Sequence, residues 1–171
     1  MKYRSEDDKC YGVAGMAVGL SIFDAEDLFT EVTLDAEGLD CIRFAPDFYF
    51  AGNPRVEASR SWHHIYGHYQ VQMGLAIANT LCRKMVLDRG VLDRKQRTEL
   101  LNAAVADGQA LCQLDRDEVE PLFDKSYSYL MRVFSNADIR HAISAFAAQL
   151  KQRRTLSRAD VAELLQELNL R

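Results

Sequence analysis

Histidines are the side chains in this chain best suited to chemistry, and two of them, His64 and His68, stand four residues apart. On a helix that spacing puts both imidazoles on one face, where they can meet one metal ion. Asp138 and His141 stand three apart, also at helical spacing. A bundle that brought the two pairs together would offer three histidines and a carboxylate, a set suited to a divalent transition metal. The signal is not specific. The chain has no HExxH and no repeated ExxH of the kind carboxylate-bridged di-iron bundles use. Four histidines among 171 residues readily give one pair at helical spacing by chance. The ordinary alternative is that His64 and His68 line a partly wet crevice or hydrogen-bond within the core. The expectation is no cofactor. His64, His68, Asp138 and His141 are the candidate ligands if a divalent metal binds.

Nucleophilic chemistry finds less support. A serine or cysteine nucleophile needs a histidine held by an acid. Cys82 lies about five turns along the same stretch from His64, too far to be activated by it. There is no GxSxG. Asp24, Glu26 and Asp27 cluster in a short connecting segment, where neighbouring carboxylates ordinarily form a solvated surface. No catalytic residue is assigned, and catalysis is not expected.

Lys151, Arg153, Arg154 and Arg158 form the only concentrated basic patch. Cations at the end of a helix suit its dipole, which is explanation enough. The segment from Thr155 to Leu165 has some likeness to part of a helix-turn-helix, but Asp160 and Glu163 would repel phosphates in a groove. The formal charge of −4 gives an overall field that favours neither nucleic acid nor an anionic membrane. The apolar run from Val13 to Phe23 is too short to span a bilayer and is interrupted by Gly15, Gly19 and Ser21. Glu6, Asp7 and Asp8 at its start are unlike a signal peptide. Cys10, Cys41, Cys82 and Cys112 are widely spaced with no CxxC, so they read as reduced thiols in a cytoplasmic protein.

The elements that must position these residues are mostly helices. Ser59 to Asp88 carries the histidine pair. At about 100° per residue it is apolar on two opposite sides, with Trp62, Tyr66, Tyr69 and Met73 on one and Val71, Leu75, Ala78 and Cys82 on the other. A helix apolar on both sides is buried between neighbours. Ser59 or Ser61 can cap its start, and Gly90 supplies its stop. Gly67 and Gly74 are seven apart on one side of it. Each costs roughly 1 kcal/mol relative to alanine, so each needs a reason. Close approach of a neighbouring helix is the first reason; a ligand against bare backbone is the second.

A first helix spans Ser5 to Ile22, with Gly12, Gly15 and Gly19 forming a small-residue surface for another helix. Thr30–Leu34 and Leu39–Phe44 alternate around a turn at Asp35–Gly38, the pattern of a β-hairpin. Pro46 to Pro54 is a loop in which Phe48, Tyr49 and Phe50 plug onto the core. After the central helix, Asp93 and Gln96 form a capping box for a helix to Gln113, with Leu100, Leu101, Ala104, Leu111 and Leu114 facing inward. Asp117 and Glu120 repeat the pattern for a helix to Phe134, with Pro121 in its first turn. Ser135–Asn136 starts another to Gln152, and Ser157 to Asp160 starts the last, which carries Leu168.

The fold class is mainly α: a bundle of five to six helices around a buried central helix, with a small β-hairpin near residues 30–45, in a single domain over 1–171. A hydrophobic share of 48% suffices for a soluble core at this length. No motif is specific enough to carry a family resemblance. The leading functional expectation is a protein-interaction or regulatory module without catalytic activity. It would act on a protein partner or by self-association as a homodimer, and not on nucleic acid or membrane. The alternative is a transition-metal-binding helical bundle, with or without enzyme activity, using His64, His68 and His141.

Overall fold

The structure is a computed structural model and describes residues 2–48 and 58–167. Tyr49, Phe50, Pro54 and Leu168, named above, lie outside the described residues. Among the described residues the α-helices are α1 (Glu6–Ile22), α2 (Ala58–Cys82), α3 (Arg94–Cys112), α4 (Arg116–Ser135), α5 (Ala137–Arg153) and α6 (Arg158–Glu167). The short strands among the same residues are β1 (Phe29–Thr33), β2 (Ile42–Phe44) and β3 (Thr155–Ser157). The fold is mainly α with a small antiparallel sheet in the order β2-β1-β3.

α1 starts where Ser5 caps it, the serine oxygen accepting the Asp8 N–H at 3.1 Å, with three acidic residues at the positive end of the helix dipole. Beyond Asp8 it is apolar nearly all round, and Val13, Ala14, Met16, Ala17 and Leu20 are fully buried. It runs antiparallel to α2: Arg83 reaches Asp8 near the start of α1, while Gly74 meets Phe23 just past its end. The small side chains of α1 permit this approach. A Cβ on Gly15 would stand 2.4 Å from Cys82 Cβ and 2.8 Å from the Ala78 carbonyl oxygen.

α2 passes through the middle, in contact with α1, α3 and α4. Leu75, Ile77, Ala78, Leu81 and Cys82 are buried completely. The two-sided burial applies to this second half only. Trp62, expected inside, is 43% exposed, and His63 and His64 are exposed beside it. α2 begins at Ala58, so Ser59 and Ser61 fall within the helix and not at its cap. At its far end the backbone opens into a π turn over Arg83–Leu87. Arg89 takes the left-handed conformation (φ 51°), and the Gly90 N–H closes the end onto the Lys84 carbonyl at 2.8 Å.

α3 has the expected Asp93–Gln96 capping box, but Leu111 lies 50% exposed. α4 starts earlier than its sequence suggests. Its box is Asp115 with Glu118, which puts Pro121 in the second turn; Glu120 instead pairs with Arg116 at 2.8 Å. Gly108 on α3 gives room to Tyr69, whose hydroxyl donates to the Ala104 carbonyl at 2.9 Å. α5 lies against α1 and α4, and α6 against β1 and β3.

The hairpin of β1 and β2 pairs Val32 with Ile42. β3 was not anticipated. It adds to the other edge of β1, pairing Val32 with Leu156, and Leu156 is fully buried. Three residues are too few to show alternation, and the partner lies far off in sequence. All four cysteines are buried and free. Among the described residues no helix is long and apolar enough to cross a membrane.

Candidate functional site

His64 and His68 do come together. Their rings lie edge to face with centres 3.9 Å apart. His68 also stacks on Phe48 at 3.9 Å, and Phe48 on Phe44 at 3.9 Å. Four rings thus form a ladder from the buried Phe44 to the exposed His64. Phe48 plugs onto the core as its sequence suggests, being 2% exposed. Asp138 and His141 sit exposed in the first turns of α5, where Asp138 N–H is capped by the Asn136 side chain at 2.8 Å. Among the described residues no three His, Cys, Asp or Glu side chains gather to hold a metal ion. The structure therefore unites the first pair but does not join the second to it.

The other sequence candidates are occupied in holding the fold. Burial pushes the Cys82 thiol far above its ordinary value and the Cys41 thiol up to about 11, so neither is a thiolate near neutral pH. The basic patch is matched by carboxylates. Lys151 pairs with Asp7 at 2.6 Å, Arg153 with Asp160 at 2.8 Å, and Arg154 with Asp35 at 2.6 Å. Arg158 pairs with Asp27 of the acidic cluster, and Ser21 donates to Glu26 at 2.7 Å.

Sequence reasoning missed a cleft of about 550 Å³ between the end of α1, the first half of α2 and α4. Two matching helical stripes build it. On α2 the residues are Gly67, Gln70 and Val71, with Gly74 next in register beneath Phe23. On α4 they are Leu122, Lys125, Ser126 and Tyr129. Each set has the spacing i, i+3, i+4, i+7, which aligns it along one helix face. Ile22, Phe23 and Met73 complete an apolar floor. The Phe23 ring lies over Gly74, where a Cβ would stand 2.4 Å from it. The two glycines of α2 thus have different reasons. Gly74 admits the Phe23 ring from just past α1, whereas a Cβ on Gly67 would meet no atom of the described residues within 4 Å. Helix contact does not account for Gly67; it keeps the cleft open.

Around the rim stand Gln70, Lys125, Ser126 and Tyr129. Lys125 has no ion-pair partner among the described residues; its neighbour Asp124 faces α3 and pairs with Arg97 at 2.5 Å. Thr80, Thr98, Ser135 and Ser144 each donate a hydroxyl to the carbonyl four residues earlier. Ser126 makes no such bond. A second cleft, of about 450 Å³, lies at the π turn, but its Arg4 and Arg83 are engaged by Asp8 and Asp88.

In comparisons with known proteins, no family model, no curated protein and no solved structure matches this chain.

Proposed function

We propose that this chain is an interaction or regulatory module that works by binding and not by catalysis, with the α1–α2–α4 cleft as its binding site. The observation that carries this reading is the cleft itself. Its volume, about 550 Å³, falls in the range of roughly 300–1,000 Å³ typical of ligand sites. Its floor is apolar and its rim holds a few hydrogen-bonding groups, the usual division between affinity and orientation. Its described lining contains one ammonium and no carboxylate, imidazole or thiol, so the groups most often used as general base or activated nucleophile are missing from that lining. Exposed Trp62, stacked on Tyr66 at 5.0 Å, offers a large amphipathic surface of the kind that anchors protein contacts. A module that takes a group into the cleft and contacts a partner or a second copy through Trp62 uses both features.

A methyl-resolved NMR screen with a chemically diverse set of small fragments tests the reading. The expected result is that hits move the methyl signals of Ile22, Val71, Met73 and Leu122 before any others. Shifts scattered over the surface, or centred elsewhere, would overturn it.

A further inference from the structure

Resting on that reading of the cleft, we propose its occupant: a small monocarboxylate with an apolar body. The acid group sits at Lys125 and Ser126, and the body lies over Gly67 against Phe23 and Met73. Charge and satisfaction both point to this class. Lys125 is the only charged residue of the described lining, and the one acid beside it in sequence is taken up by Arg97. An exposed ammonium with no counter-ion among the described residues, at the edge of an apolar floor, favours an anion over a neutral or cationic guest. The Ser126 hydroxyl lies one residue on, also without a partner among the described residues, and can donate to the same group. A single cation balances a single negative charge, whereas a phosphate dianion or a polyanion would be left with uncompensated charge beside the apolar floor. The apolar share of the lining asks for a body that leaves water, and the bare backbone at Gly67 gives that body flat contact.

Three probes of equal chain length decide the matter: octanoate, octan-1-ol and octyltrimethylammonium, each titrated below its aggregation limit against the full chain. Methyl shifts in the cleft are followed in the wild type and in Lys125→Gln and Lys125→Arg. Octanoate is expected to bind best. Lys125→Gln should weaken it by about tenfold, as for loss of a charge-assisted hydrogen bond. Lys125→Arg should restore much of the affinity, and octanol should not distinguish the three proteins. Equal binding of octanoate and octanol, with no effect of Lys125→Gln, would overturn the carboxylate assignment and leave the binding cleft standing. Tighter binding of the cationic probe would do the same. Absence of cleft shifts with every probe would remove both proposals. Cleft signals that change on dilution of the protein alone would make a second copy the occupant and overturn the small-acid assignment.

Discussion

Asp8 shows how much one side chain can hold. It is 1% exposed and receives Arg83 through Nε at 2.9 Å and Nη2 at 2.5 Å, with Arg4 Nη2 at 2.8 Å. Burial alone would push its carboxyl up, but the hydrogen bonds from Arg83 and Arg4 outweigh that and hold it well below the ordinary 3.8. A carboxyl depressed in the folded state adds stability that is complete above its unfolded value and is lost as pH falls through the folded one. Asp8→Asn should therefore cost about 3–5 kcal/mol at neutral pH, because it strands Arg83 half-buried without its counter-charge. Urea unfolding at a series of pH values checks this, and the gap between variant and wild type should shrink as the pH drops below about 4. The sequence shows Asp8 only as one of three acids suiting a helix start. Its main partner is 75 positions away, and nothing local announces a buried ion pair at that distance. The histidines fared similarly. The four-residue spacing placed His64 and His68 side by side, but their ring ladder depends on Phe48, beyond the reach of helical periodicity.

At the scale of elements, the periodicities were readable and the partners were not. The small-residue face of α1 is where α2 packs, as Gly12, Gly15 and Gly19 suggest. Gly15→Ala drives a methyl against Cys82 and the Ala78 backbone, and backbone cannot rotate away as a side-chain tip can. A loss of about 1–3 kcal/mol is expected, in line with overpacking a tight core, and thermal unfolding measures it. The same inference fails at Gly67, because a glycine's reason lies in what faces it. The start of α4 is ambiguous for a different cause. Asp115–Glu118 and Asp117–Glu120 both have capping-box spacing, and only the end of α3, where Gln113 turns left-handed (φ 57°), selects the earlier one. The π turn after α2 leaves no mark in the residue pattern.

For the whole molecule, the bundle and the hairpin follow from hydrophobic period, which reports each element's own burial. β3 and the cleft do not, because they arise from how distant elements meet. β3 ties the segment after α5 to β1, with the Leu34 N–H bonding the Arg154 carbonyl at 2.8 Å. The cleft arises from two helix stripes set opposite one another by the direct packing of α2 against α4, with Ile22 and Phe23 from the end of α1 completing its lining. Nothing in either stripe alone says that the space between them stays open.

Gly67→Leu tests that openness most directly. The new side chain enters space with no atom of the described residues within 4 Å of its Cβ and replaces a poor helix former, so the protein should fold and gain up to about 1 kcal/mol. It should also fill the cleft. Thermal melting and fragment binding, measured on the same variant, are expected to move in opposite directions: stability kept or raised, and the methyl response of Ile22, Val71 and Leu122 abolished. A variant that is equally stable and still binds every fragment at those methyls would contradict the account.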